Sequence, residues 1–194
     1  MKKYIAYSFM AFTMLFSQAE AAPKLSSPQT NAGQAEAEIA GEFGKESSRV
    51  FNDTSIKFKY GFDDRWKGEV AADIVYLEGD GWDYDATGIK LQYELTEEGP
   101  YFFGSALEIG YDFGANGNGD KIEFGTILER NINDVELLAN FDLDQGVDDN
   151  NDNQTGFDIA LGAYTPYMDH LNIGLEYYAD FGDINNTGSF DVQG

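Results

Sequence analysis

The chain has 194 residues and room for one domain. A formal charge of −23 and a pI near 4.1 set it against phosphate backbones, so nucleic acid is excluded as a partner. Cysteine is absent, which removes disulfide scaffolds, thiolate metal sites and Cys nucleophiles, while 42% hydrophobic and 15% aromatic content removes disorder by composition.

Lys2 and Lys3 open the chain, followed by an uncharged, largely apolar run over residues 4–16 and then Ser17-Gln18-Ala19-Glu20-Ala21. Charge, an apolar run too short to span a bilayer, and an A-x-A site make a secretory signal peptide over residues 1–21. The competing reading, a membrane anchor, is disfavoured by the shortness of that run. Residues 22–34, rich in Ser, Pro and Asn, then read as a polar leader before a β-domain over residues 35–194.

From Ala35 the chain alternates with period two. Ala35, Ala37 and Ile39 interleave with Glu36 and Glu38, and Ile56, Phe58 and Tyr60 interleave with Lys57 and Lys59. Val70, Ala72 and Ile74 stand against Glu69 and Asp73; Ile89, Leu91 and Tyr93 against Lys90, Gln92 and Glu94. In the second half Leu107, Ile109 and Tyr111 oppose Glu108 and Asp112, and Ile122 and Phe124 oppose Lys121 and Glu123. Leu137, Ala139 and Phe141 oppose Glu136, Asn140 and Asp142; Ile159 and Leu161 oppose Asp158; Ile173, Leu175 and Tyr177 oppose Glu176 and Asp180. Such alternation predicts an all-β, antiparallel up-and-down barrel with about 9–10 strands, each ~9–11 residues long. The breaks are expected to alternate between compact ones, such as residues 63–65 and 131–134, and longer ones, such as 44–53, 78–85 and 145–154.

Period two does not reveal which face points inward. Small residues among the charges (Ala71, Gly88, Gly104, Ala106, Gly110, Gly125, Ala160, Gly162, Gly174) suit a crowded narrow lumen. Aromatics near the segment ends, among them Phe62, Trp66, Tyr76, Phe113 and Phe181, suit an interfacial girdle. Both favour an apolar face turned to lipid and a polar face turned inward.

With these features, and stretches such as Gly174-Leu175-Glu176-Tyr177-Tyr178-Ala179-Asp180-Phe181-Gly182, the chain resembles bacterial outer-membrane β-barrel proteins of porin-like type. The resemblance spans residues 35–181 and identifies no subfamily. It implies a transmembrane barrel in the outer membrane of a Gram-negative bacterium, with outer-membrane lipid as partner and an even strand number ending in an aromatic. A tenth strand would begin near Ser189, and a C-terminally truncated barrel is one explanation of the odd count.

The polar face supplies the lumen-lining candidates Lys57, Lys59, Glu69, Asp73, Lys90, Glu94, Glu108, Asp112, Glu123, Glu136, Asp158 and Glu176. Glu129, Asp142, Asp180, Lys67 and Lys121 share that face, and acids outnumber bases, so an open pore should prefer cations. Side chains could instead fill a barrel this small. The expected function is therefore a porin-like passive passage or a structural membrane component. The alternative is a soluble periplasmic or secreted β-barrel binding a small apolar ligand, and a third reading is surface recognition through acidic loops.

Catalysis is not expected. His170, the only histidine, falls in a turn without a recognisable partner, and no nucleophile elbow, HExxH or P-loop pattern occurs. No cofactor is expected either. Asp148, Asn150 and Asp152 begin like a calcium loop, but Asn153 and Ile159 replace the glycine and glutamate that such a loop needs, leaving weak divalent binding at most. Asp80, Asp83 and Asp85 form a similar acidic cluster.

Overall fold

The computed structural model describes residues 25–46, 49–97, 99–147, 154–168 and 171–184. The expected signal peptide, His170, the Asp148, Asn150 and Asp152 cluster and the tenth strand expected near Ser189 all fall outside the described residues.

Nine strands follow one another: β1 (Ala35–Glu46), β2 (Arg49–Gly61), β3 (Trp66–Leu77), β4 (Gly81–Thr96), β5 (Gly104–Gly114), β6 (Lys121–Ile132), β7 (Val135–Gly146), β8 (Thr155–Met168) and β9 (Leu171–Asp183). Each pairs antiparallel with its neighbours in sequence, giving one sheet in the order β1 to β9 that curls into a half-barrel. Among the described residues β1 and β9 are its two edges, and no helix occurs.

Alternation specifies the register because a one-residue slip would move every charge to the other face. Ile109 stands opposite Leu91 and Phe124, and Glu108 opposite Gln92 and Gly125. Register shifts at Asp73/Ile74, Glu94/Thr96, Gly156/Asp158 and Pro166/Met168 interrupt the ladders, as bulges that bend a strand do.

The loop asymmetry expected from sequence is observed only in part: residues 147–154 make a long break and 133–134 a compact one, but two expected long breaks are short. Residues 78–85 and 44–53 were expected to be long breaks, yet β4 starts at Gly81 and β1 and β2 reach Glu46 and Arg49. Here Trp82 packs on Tyr76 at 5.2 Å between ring centroids, and Asn52 to Asp53 continue the β1–β2 ladder. Cross-strand pairing thus overrides the turn propensity of the Gly- and Asp-rich sequence. The breaks at the two ends consequently overlap in length, residues 47–48, 78–80, 115–120 and 147–154 at one end and 62–65, 97–103, 133–134 and 169–170 at the other. The β2–β3, β4–β5, β6–β7 and β8–β9 connections lie together at one end of the sheet, the near end, and the others at the far end.

The two faces differ in exposure. On the convex face Ile39, Phe58, Val70, Ile109, Phe124 and Leu175 are exposed, Leu175 to 80%. On the concave face Glu38, Gln92, Glu94, Glu129 and Asn140 are buried. Polarity is thus reversed relative to a sheet that packs an apolar core: the apolar face looks out and the charged face looks in.

Candidate functional site: the concave polar face

Glycines opposite the charges make room on this face. A Cβ at Gly88 would stand 2.6 Å from an Asp112 carboxylate oxygen, and one at Gly125 would stand 2.7 Å from an Asp142 oxygen and 3.2 Å from Glu108 Cβ. One at Gly110 would meet Lys90 Cγ at 3.0 Å and Glu123 Oε2 at 3.2 Å. Longer side chains from the neighbouring strands fold over these positions, as the small-residue pattern had suggested.

Most sequence-selected residues meet partners across strands. Lys59 Nζ lies 2.8 Å from Glu38 and 3.7 Å from Glu69. Lys90 Nζ lies 2.6 Å from Glu123, and Lys121 lies 3.7 Å from Asp144. Glu176 accepts a hydrogen bond from the Tyr164 hydroxyl at 2.6 Å and another from Tyr178. Lys57 stands between Glu38 and Ala71 in register, and Asp73 pairs with Ser55 and Ala86 beside a register shift. Asp112 stands between Gly88 and Lys121. Glu136 borders an open recess of about 240 Å³ at the near end, together with Asn131, Asp134, Tyr164 and Asn172.

Two rows run across the sheet. In the first, Lys90, Gly110, Glu123 and Asp144 are successive register partners, with Lys90 balancing Glu123. In the second, Glu108, Gly125, Asp142, Asp158 and Asp180 follow one another across β5 to β9 without a lysine or arginine in the row. Like charges directly opposite each other, as Asp142 and Asp158 are, repel, while Lys90 lies close enough to Glu108 and Asp142 to offset part of their charge. Among the described residues no group of three or more His, Cys, Asp and Glu side chains is arranged to hold a metal ion. That includes Asp80, Asp83 and Asp85, of which Asp83 and Asp85 accept hydrogen bonds from Asn116 and Asn118 across the far end.

Comparison with protein-family models and with curated proteins gives no match. The chemistry of this face therefore has to be read from its own residues.

One component was not anticipated. The polar leader crosses the concave face at the near end. Thr30 N–H donates to Glu94 at 2.9 Å, and Gln92 Nε2 donates to the Pro28 carbonyl at 2.9 Å. Lys67 Nζ donates to the carbonyls of Ser27 and Gln29 at 3.2 and 3.4 Å. Glu129 accepts from the Ser27 hydroxyl at 2.7 Å and the Gln29 amide at 2.6 Å. With its amide turned to suit, Asn140 pairs with the Ser26 backbone at 2.9 and 3.2 Å. Leu25 then packs against Leu138 and Tyr164. The leader thus spans from β3 to β8, and only a curled sheet brings those strands within reach of ten residues. Its composition resembles a linker, and Leu25 alone is too weak a signal to place it. Gln92 and Asn140, the uncharged residues that hold it, were visible only as members of the polar face.

Proposed function

We propose that this chain forms a porin-like β-barrel of a Gram-negative outer membrane, passing small solutes with a preference for cations. The observation that carries this reading is the reversed polarity of the sheet. Thirty-ångström hydrocarbon would match strands of this length at a tilt and would cover the exposed Ile, Leu, Val and Phe band on the convex side. In water the same band would be a broad exposed apolar face, the mark of a surface that meets a partner or a membrane. Aromatic pairs near strand ends, Trp66 with Tyr93 at 4.6 Å and Tyr111 with Phe113 at 4.6 Å, have the amphipathic character of an interfacial girdle.

Cation preference is supported by the acids Glu108, Asp142 and Asp158, which stand in one row of the concave face. Lipid does not tolerate unpaired strand edges, so this reading requires the outer edges of β1 and β9 to be hydrogen-bonded in the membrane. A soluble barrel binding an apolar ligand would need an apolar concave face. The described concave face is charged, and its apolar members Ile127 and Leu138 are already buried.

Fractionation and electrophoresis test the reading. The barrel should partition with the outer membrane and migrate differently before and after boiling. Release with the periplasmic contents in a form that lacks this shift would reject it.

A further inference from the structure

We propose that residues 25–34 are a built-in strap that closes the near end of the passage, and that release of the strap opens that end to solutes. This rests on reading the concave face as a passage, and it assigns the leader a gating role within it.

The path of the strap is that of a closure. It leaves β1 beside Gly61, lies over Lys67 and Gln92, crosses to Glu129 and Asn140, and ends with Leu25 against Gly162. A Cβ at Gly162 would stand 2.6 Å from Leu25 Cδ1, so the strap reaches the wall of β8. On the side of β1 to β3 the space bordered by Gln29, Asn31, Lys59 and Lys67 is about 10 Å³, no more than a single water occupies, whereas the recess of about 240 Å³ beside Glu136 and Tyr164 stays open on the side of β6 to β9.

The seat is also built to release. Apart from the buried Leu25 and Pro28, its contacts are hydrogen bonds to polar and charged groups, which water can replace on both sides. Thr30 Oγ1 and Gln92 Oε1 are buried at the seat without a hydrogen-bond partner among the described residues, and both gain solvation when the strap lifts. Its base is held where it meets β1. Gly33 N–H donates to the Gly61 carbonyl at 2.8 Å and Gly61 N–H to the Gln34 carbonyl at 2.9 Å. Gly33 itself adopts φ +74°, a left-handed conformation that glycine takes without strain, in the turn joining strap to β1.

The native chain has no cysteine, so paired cysteines report the strap alone. Two pairs in the full chain would be used: Ser26→Cys with Asn140→Cys, and Leu25→Cys with Gly162→Cys, the first covering the case where bulk at 162 impairs folding. Each is oxidised in the folded protein and its conductance measured in planar bilayers in potassium chloride, before and after reduction. A Glu94→Ala/Glu129→Ala variant releases the strap without cross-linking. At least one pair should cross-link, reduction should raise conductance several-fold, and the released variant should match or exceed the reduced form. Equal conductance of locked and reduced forms would overturn the strap while leaving the passage standing. Failure of both pairs to cross-link in folded protein would overturn it as well. If the pairs cross-link and no form conducts, the released variant included, the passage reading falls and the strap proposal with it.

Discussion

The Ser27 hydroxyl donates to the Glu129 carboxylate at 2.7 Å across 102 residues of chain. Glu129 is 2% exposed and also accepts from the Gln29 and Asn131 amides. A carboxylate this buried is tolerable only while such donors surround it, because an unsatisfied charge loses its hydration without compensation.

Removing donor and acceptor should therefore differ in cost. Ser27→Ala is expected to lower stability by about 1–3 kcal/mol, since it leaves the buried Glu129 short of a donor. The double variant Ser27→Ala/Glu129→Ala should lose less than the two single losses added together, as expected for groups sharing one bond. Thermal or denaturant unfolding of the four proteins measures this. Strict additivity would mean that the contact is absent in solution.

Ile109 sits midway along β5 on the convex face, 50% exposed and opposite Phe124. With lipid against that face, Ile109→Lys should destabilise the folded barrel by about 2–4 kcal/mol, as charge does near the bilayer midplane. On a water-facing surface the same change falls within about 0.5 kcal/mol. Folding titrations in lipid vesicles read the difference, and a neutral result would count against a membrane role.

At Gly125 any side chain must enter the space taken by Asp142 and Glu108. Gly125→Val is expected to cost about 1–3 kcal/mol by overpacking. Truncating the crowding neighbour should recover part of this, so Gly125→Val/Asp142→Ala is expected to be more stable than Gly125→Val alone. Urea unfolding of the pair provides the check.

The acidic row has a functional signature separable from stability. Asp142→Asn/Asp158→Asn removes two adjacent charges from cross-strand partners while keeping their size. Reversal potentials across a potassium chloride gradient should show a lower potassium-to-chloride permeability ratio than in the unaltered protein. An unchanged ratio would place the ion path elsewhere.

Some of this architecture was legible in the chain. Strict alternation from Ala35 onward specifies strands, because only a pleated chain sends successive side chains to opposite faces. It also sorts residues into one charged set and one apolar set, and in the structure Lys59, Glu69, Lys90 and Glu123 indeed share a face. Turn positions were legible where hydrogen-bonding residues mark them, as at Asn133 and Asp134. They were misread at residues 44–53 and 78–85, where pairing with the opposite strand extends the ladder through sequence that favours turns locally.

Small residues among the charges already favoured the charged set facing inward; tertiary structure decided the matter, and it alone decided what lies against that face. Period two is the same for a sheet curled either way, so the burial of Gln92 and Glu129 and the exposure of Ile109 and Leu175 follow from the direction of curl. The placement of residues 25–34 is further still from local sequence. Polar residues such as Ser27 and Gln29 have no preferred conformation of their own, and they become ordered only where Lys67, Gln92, Glu94 and Glu129, brought together from three strands, satisfy them at once.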